Sequence, residues 1–194
     1  MKLQLPAGNF RAYLFDCDGT LVDTMPIHYT SWKKTLAEWN CPFEKELFYA
    51  WGGRPLADII ASLNEMHSLH MPVEEVARRK EILFCEQLKD LKCIPEVLEH
   101  VEASYGKIPF AVVSGGRRGP VEASLRQVNL LEKFETLVCA EDYKNGKPAP
   151  DGFLLAAERL GVAPKDCLVF EDTDLGIEAA IAAGMASVKV EQHM

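Results

Sequence analysis

AYLFDCDGT, residues 12–20, is a short apolar run that ends in two aspartates, a glycine and a threonine. An uninterrupted apolar run of this length is typical of a strand buried on both faces in a parallel sheet. Asp16 and Asp18 leave it two positions apart, so their side chains would point the same way if the strand continued. Gly19 allows the chain to turn away at once. Taken alone, the stretch fits an aspartate-rich turn as well as it fits a binding site.

Four later runs are also apolar and also end at polar or glycine-rich residues: 108–113, 136–140, 168–170 and 187–190. Helical patterns separate or flank them at residues 95–105, 120–128, 151–160 and 175–183. Gly161 and Gly184 are placed to end the last two helices. The alternation of strand and helix predicts an α/β fold with a parallel sheet and right-handed crossovers.

One long interval breaks this alternation. Between about residue 22 and residue 94 the sequence has no convincing strand, and it has helical patterns at residues 27–39, 55–66 and 73–90. We therefore predict a helical cap, residues 23–94, inserted into a catalytic core of residues 1–22 and 95–194. The joints are expected near residues 23–25 and 92–95.

The other predicted strand ends carry side chains that suit phosphate chemistry. They are Ser114, Gly115 and Gly116 after the second strand, Lys147 after the third, and Glu171 with Asp172 after the fourth. A hydroxyl followed by two glycines can present Ser114 and free backbone N–H groups to a phosphate oxygen. Prolines on either side of residue 149 stiffen the loop that holds Lys147. Taken singly, these features also fit a Ser-Gly turn and a solvated lysine.

Together, these strand ends place four carboxylates at one edge of the sheet, where open α/β sheets bind ligands. Asp16, Asp18, Glu171 and Asp172 would repel one another, which raises pKa values or destabilises the fold. A hard divalent cation removes the conflict, and Mg²⁺ commonly bridges carboxylates and a phosphate. Lys147 adds positive charge, and a carboxylate can attack phosphorus to form an aspartyl-phosphate. An EF-hand calcium loop is a poor alternative, because it needs further oxygen ligands before its glycine and a late Glu, whereas here the glycine follows the second aspartate directly.

Composition narrows the partners further. The 194 residues are 48% hydrophobic and 26% charged, with a net charge of −8, which disfavours nucleic acid and anionic lipid as partners. No run approaches the ~20 apolar residues of a membrane span, and the N-terminus lacks the apolar stretch of a signal peptide. The six cysteines have no zinc-like spacing and are predicted to be buried, reduced thiols of a cytoplasmic protein.

At this point the sequence resembles the haloacid dehalogenase superfamily of aspartate-nucleophile phosphohydrolases, which implies a Rossmann-like core. The resemblance is carried by four motifs in order: residues 16–20 (DCDGT), Ser114, residues 147–151 (KPAPD), and residues 171–180 (EDTDLGIEAA). They span nearly the whole of the predicted core.

The resemblance also implies roles for these residues. Asp16 would attack phosphorus, and Asp18 would act as general acid and then as general base. Ser114 and Lys147 would hold the phosphoryl group, with Gly115 and Gly116 beside them. A Mg²⁺ ion would be bound by Asp16, the backbone carbonyl of Asp18 and Asp172, with Glu171 in support.

The inserted segment resembles the helical cap of the β-phosphoglucomutase-like branch. On the predicted helix 73–90, Lys80 is the one charge in a stripe whose other members are Val73, Ala77, Phe84 and Leu88. Lys80 is either a snorkelling lysine at a core margin or a cap residue that reaches substrate oxygens. His28 and Trp32 share a helical face and are candidates to line the cleft, although such residues also fit a core. Arg54 is a further candidate, with a surface arginine as its alternative.

The resulting prediction is a monomeric, Mg²⁺-dependent phosphatase of a small sugar phosphate, either fructose-1-phosphate-like or 6-phosphogluconate-like. A sugar-phosphate mutase is the main alternative. Thr20 favours a phosphatase because the resembling mutases carry Val at this position and differ in the turn near residues 52–54. A phospho-acceptor signalling domain also pairs acidic residues with a lysine, but it needs no lid. A catalytically inactive, partner-binding relative is disfavoured by the complete acidic set and Lys147.

Overall fold

The computed structural model describes residues 3–191. Residues 1–2 and 192–194, at the outer limits of the predicted core, lie outside the described residues. The strands are β1 (Ala12–Phe15), β2 (Phe110–Val113), β3 (Thr136–Val138), β4 (Cys167–Glu171) and β5 (Ala186–Lys189). The α-helices are α1 (Met25–Ala37), α2 (Lys45–Ala50), α3 (Leu56–His67), α4 (Val73–Cys85), α5 (Pro95–Ser104), α6 (Arg118–Gln127), α7 (Asp151–Leu160) and α8 (Asp174–Ala182).

The five strands form one parallel sheet in the order β3-β2-β1-β4-β5. The predicted α/β fold with a parallel sheet is confirmed. β1 lies at the centre, where Tyr13 pairs with Phe110 of β2 on one side and with Leu168 of β4 on the other. From β1 the chain adds β2 and β3 on one side of the sheet, and it then returns to add β4 and β5 on the other side of β1. The direction in which strands are added therefore reverses at β1. Such a switch point opens a crevice at the carboxyl ends of the strands.

The period-2 alternation of the strands divides the core between the two faces of the sheet. Phe15 points to the face covered by α5 and α6, and its ring stacks on Phe170 at a centroid distance of 4.6 Å. Leu14 points to the opposite face, which is packed against α7 and α8 through Phe153 and Ala179. Because both faces are covered, the apolar runs need no polar alternation, as expected for a parallel sheet.

Between residues 23 and 94, which lie between β1 and α5, the described chain forms helices α1–α4 and no strand beyond isolated bridges. We call residues 23–94 the cap, and its division from the core stays a prediction. The cap has its own apolar cluster, in which Trp32, Leu36, Ile60 and Leu63 are all buried. The predicted helix 73–90 ends earlier, at Cys85, and a short 3₁₀ turn that buries Leu88 follows it.

The two joints of the cap run side by side. Asp23 N donates to Lys92 O at 2.9 Å, and Ile94 N donates to Leu21 O at 3.0 Å. An isolated antiparallel bridge joins Val22 to Cys93 between them. The two joints are therefore hydrogen-bonded to each other directly beside the loop that carries Asp16 and Asp18.

The cysteines are free thiols in the described chain, as expected, but the prediction that they are buried is wrong for two of them. Cys85 is exposed and Cys93 is half-buried. Cys85 is the last residue of α4, and Cys93 lies in the second joint of the cap. None of the described helices combines the length and the apolar character that a bilayer-spanning helix requires.

Candidate active site

One cleft lies between the carboxyl edge of the sheet and the cap. All the candidate residues predicted from the sequence line it: Asp16, Asp18, His28, Trp32, Arg54, Lys80, Ser114, Gly115, Gly116, Lys147, Glu171 and Asp172. The core residues come from the ends of β1, β2 and β4 and from the loop before α7, and the cap residues come from α1, α4 and the turn before α3. The four separated stretches of the core thus meet at one place.

Lys147 lies at the floor of this cleft between two carboxylates. Its Nζ donates to Asp16 Oδ1 at 2.5 Å and to Glu171 Oε1 at 2.6 Å. The three side chains are only 8%, 10% and 1% exposed, respectively. Burial acts to lower the pKa of Lys147, but Asp16 and Glu171 outweigh it and raise that pKa, so the amine is charged. The buried, positively charged amine of Lys147 is therefore fixed next to Asp16.

One lysine does not neutralise the acidic cluster. Oxygen atoms of Asp16, Glu171 and Asp172 all lie within 4.8 Å of one another. Burial raises the pKa of Asp16 well above its ordinary value, and the neighbouring carboxylates add to the rise while Lys147 opposes it. Buried carboxylate oxygens with excess negative charge are the donor set that a hard divalent cation binds. The residues present therefore fit a divalent metal ion.

Two of these carboxylates are held by hydroxyl groups. Asp172 Oδ1 accepts a 2.8 Å hydrogen bond from Thr20 Oγ1, which is fully buried. Glu171 Oε2 accepts from Thr173 N at 2.6 Å and from Thr173 Oγ1 at 2.9 Å. The sequence reasoning gave no positioning role to Thr20 or Thr173, although both belong to the motifs. Each hydroxyl fixes the direction in which its carboxylate presents the other oxygen.

Asp18 is bound to the cap rather than to the acidic cluster. Its Oδ1 accepts from Thr24 Oγ1 at 2.7 Å and lies 3.0 Å from His28 Nε2. His28 Nδ1 lies 2.6 Å from Lys80 Nζ, and the imidazole stacks on Phe84 at 4.2 Å. Since an ammonium can only donate, His28 Nδ1 is the acceptor and Nε2 carries the proton that is donated to Asp18.

These contacts determine the charges of Asp18, His28 and Lys80. Burial alone would raise the pKa of Asp18, but His28 and Thr24, together with Lys80, lower it to about 2. Burial and the neighbouring Lys80 lower the pKa of His28, in agreement with a neutral ring. Burial also lowers the pKa of Lys80 to about 8. The predicted cap residues His28 and Lys80 thus reach the predicted general acid, a connection that the sequence did not indicate.

The loop after β2 is closed on itself. Ser114 is 1% exposed, and its Oγ accepts a hydrogen bond from Gly116 N at 3.0 Å. The Gly116 amide is therefore engaged within the loop, contrary to the expectation of a free N–H group at this position. The flanking Tyr143 hydroxyl donates to Ser114 O at 3.0 Å. Ser114 thus lies at the cleft with its hydroxyl proton available to donate.

Two cap candidates are held by the cap itself. Trp32 is 2% exposed and packs edge-to-face on Phe43 in the cap cluster. Arg54 donates from Nη2 to Ser62 Oγ at 2.8 Å, and its guanidinium lies 4.6 Å from the centre of the Trp51 ring. Both line the cleft, but their strongest contacts are structural, so their roles in binding stay predictions.

A further charged pair lines the cleft that the sequence reasoning missed. Glu81 of α4 and Arg117, at the start of α6, face each other across the cap and the core, with Glu81 Oε1 3.7 Å from Arg117 Nε. They are far apart in sequence, and neither belongs to a motif. The one available signal was that Glu81 directly follows Lys80.

Comparison with known proteins agrees with the geometry. A sequence model described as a haloacid dehalogenase-like hydrolase matches residues 10–184. The fructose-1-phosphate phosphatase YqaB of Escherichia coli (strain K12) is 36% identical over 182 residues, which cover 93% of this chain and 96% of that protein. The beta-phosphoglucomutase of Bacillus subtilis (strain 168) is 29% identical over 193 residues, 94% and 84% of the two chains.

Among solved structures, CbbY from Rhodobacter sphaeroides in complex with phosphate superposes with a TM-score of 0.82 at 25% identity. The match covers 92% of this chain and 84% of that one. The family match spans both the acidic cluster at the sheet edge and the whole helical cap. The chain therefore belongs to the haloacid dehalogenase-like hydrolases.

Proposed function

We propose that this hydrolase of phosphate monoesters acts on a small sugar phosphate, with Asp16 as nucleophile and Mg²⁺ as cofactor. The observation that carries the proposal is the buried group of Asp16, Lys147, Glu171 and Asp172 at the floor of a cleft that the cap covers. A covered cleft suits a small substrate and excludes bulk water. The similarity to a fructose-1-phosphate phosphatase supports the sugar class.

The proposed reaction has two displacements at phosphorus. An Asp16 oxygen attacks phosphorus, the ester P–O bond breaks, and the leaving sugar oxygen takes a proton from Asp18. Water then attacks the aspartyl-phosphate and gives a proton back to Asp18, which releases inorganic phosphate and restores Asp16. Ser114 and Lys147 hold the phosphoryl oxygens through both steps. A Mg²⁺ ion would be held by Asp16, the carbonyl of Asp18 and Asp172, with Glu171 in support, and would supply charge neutralisation.

The pKa of Asp18 fits the second step. At about 2 it makes Asp18 a carboxylate at neutral pH, which is the form that accepts a proton from water. For the first step Asp18 must carry a proton, and a phosphate dianion bound beside it disfavours its negative charge. The contact with His28 can therefore hold Asp18 as the base, and substrate binding favours its acid form.

The substrate and the reaction type are tested together. Phosphate release is measured over a panel that includes fructose 1-phosphate, 6-phosphogluconate and phosphorylated non-sugars, and isomerisation of glucose 1-phosphate is assayed beside it. We expect multiple turnovers on a sugar phosphate and no isomerisation. A single phosphorylation per molecule without release of phosphate would instead identify a phospho-acceptor domain, and isomerisation without net hydrolysis would identify a mutase.

The mutase alternative is supported by the similarity to a beta-phosphoglucomutase. A mutase must keep water away from its aspartyl-phosphate, whereas a phosphatase admits it. Thr20 argues for the phosphatase because the resembling mutases carry Val there, and Val has no hydroxyl to donate to Asp172. The residue at this position therefore bears on the geometry of a predicted metal ligand.

Removal of divalent metal ions should stop the reaction. We expect treatment with EDTA to reduce phosphate release to background and Mg²⁺ to restore it, because three buried carboxylates share the site and Lys147 is hydrogen-bonded to two of them. A second measurement does not need activity: Mg²⁺ should raise the melting temperature of the wild type but not that of Asp172→Asn. Asp174→Asn is the matched control, since the Asp174 side chain is 83% exposed and pairs with Lys189. Full activity of the metal-free enzyme would exclude the metal.

Lys80→Ala should impair sugar phosphates more than p-nitrophenyl phosphate. If Lys80 contacts the sugar, its loss removes a charged hydrogen bond, which corresponds to roughly a tenfold or larger fall in kcat/KM for sugar phosphates. Arg79→Ala is the control, because Arg79 is adjacent but turns outward to Glu38 at 2.9 Å. An equal loss on both substrates would show that Lys80 acts only through His28 on Asp18.

A further inference from the structure

Glu81 is a carboxylate with an unused acceptor in the cleft. Its Oε1 is buried and has no hydrogen-bond partner in the described structure. The facing Arg117 Nε is 3.7 Å away, beyond hydrogen-bond distance. A buried acceptor without a donor costs on the order of 1–3 kcal/mol. Such a group in a binding cleft points to a donor that arrives with the ligand.

Arg117 is already committed elsewhere. Its Nη2 donates to Glu74 Oε2 at 3.0 Å, at the outer edge of the cleft, and the Glu74 side chain is 81% exposed. Arg117 therefore faces solvent on its far side and offers Glu81 only a loose contact. The Glu81 side chain, by contrast, is 16% exposed. Of the two carboxylates within 4 Å of the Arg117 guanidinium, Glu74 and Glu81, only Glu81 lines the cleft.

The position of Glu81 relates it to the phosphate end of the cleft. It follows Lys80, whose amine reaches His28 beside Asp18. Across the cleft from Glu81, Arg117 continues the loop from Ser114. A sugar whose phosphate lies at Asp16 would extend from the sheet edge toward α4. Its hydroxyl groups would then pass between the α4 residues and the loop after β2.

We propose that the Glu81 carboxylate accepts a hydrogen bond from a hydroxyl of the sugar and thereby selects phosphates of uncharged sugars over phosphates of sugars that carry a second acidic group. The inference rests on the proposed sugar-phosphatase function. A hydroxyl supplies the donor that Glu81 Oε1 lacks, whereas a carboxylate or second phosphate supplies only acceptors and repels it. Both fructose 1-phosphate and 6-phosphogluconate offer hydroxyl donors, but 6-phosphogluconate also carries a carboxylate that Glu81 repels.

The test compares three substrates on the full chain: fructose 1-phosphate, 6-phosphogluconate and p-nitrophenyl phosphate. Glu81→Ala should reduce kcat/KM for fructose 1-phosphate roughly tenfold or more, chiefly through KM, with a much smaller change for p-nitrophenyl phosphate. Glu81→Gln removes the charge with little change in shape and should raise the ratio of 6-phosphogluconate to fructose 1-phosphate activity. Melting temperatures establish that both variants fold.

Glu74→Gln is the matched control, because it loses the other carboxylate that faces Arg117 without altering the lining of the cleft. It should leave all three activities near the wild-type level. If Glu74→Gln and Glu81→Ala lower all three activities to the same extent, Glu74 and Glu81 only fasten the cap to the core through Arg117. The inference is then wrong. If fructose 1-phosphate is hydrolysed and the Glu81 variants keep the wild-type preference, this inference alone fails. Hydrolysis of p-nitrophenyl phosphate but of neither sugar would overturn the proposed function as well.

Discussion

Asp16→Asn is expected to lower turnover by on the order of 10⁴-fold or more, since the amide has no anionic oxygen to attack phosphorus. The fold should survive, because Lys147 keeps its 2.6 Å bond to Glu171 and the cluster loses one of its repelling charges. We expect the melting temperature to stay equal to that of the wild type or to rise. Steady-state phosphate release and a thermal melt of the same preparation measure the two effects.

Asp18→Asn is the matched variant, two residues away and equally conservative in shape. It lacks the base that activates water, but p-nitrophenol leaves without a proton, so Asp18→Asn should accumulate phosphoenzyme that intact-protein mass spectrometry detects. Asp16→Asn should show none. Turnover by Asp16→Asn above about one-tenth of the wild-type rate would remove Asp16 as the nucleophile, as would a phosphoenzyme in that variant.

The sheet edge could be predicted from sequence because it depends on local patterns. Each apolar run ends where its first polar side chain appears, and parallel strands bring those ends to one edge. Asp16 and Glu171 therefore meet although 155 positions separate their numbers in the chain. Strand bounds were less accurate. The third strand stops at Val138 because Cys139 N turns to donate to Asp142 Oδ2, a local hydrogen bond that a hydrophobic pattern does not reveal.

The cap was harder to predict because its contacts depend on how helices cross. Helix α2 (Lys45–Ala50) was missed, since it is six residues long and buries only Phe48, which is too little for a helical period. His28 and Lys80 were identified separately, but their contact requires the register of α1 on α4. Arg54 binds Ser62 instead of pointing freely into the cleft, and no sequence pattern encodes that rotamer.

The tightest constraint in the site concerns a residue with no side chain. A Cβ atom at Gly176, in the first turn of α8, would lie 1.9 Å from Glu171 Cδ and Oε1. Glu171 is 1% exposed and tied to Lys147 and Thr173, so its carboxylate has no free space to enter. Gly176→Ala must therefore displace Glu171 and, with it, the lysine that faces Asp16.

We expect Gly176→Ala to lower kcat at least about 100-fold, as a misplacement of about 1 Å in a catalytic group does, and to destabilise the fold. Helix propensity alone would make the Ala variant more stable, because Ala is favoured over Gly in helices by about 1 kcal/mol. A loss of stability would therefore report the clash with Glu171. Gly119→Ala is the control: Gly119 also lies in a first helical turn, in α6, and apart from its chain neighbours, which include Pro120, its Cβ would meet nothing within 4 Å. Urea unfolding should show Gly176→Ala less stable than the wild type and less stable than Gly119→Ala, whose new Cβ meets only the restriction that Pro120 imposes. A Gly176→Ala variant with wild-type activity and stability would mean that Glu171 moves freely, and Lys147 would then not be held in place by it.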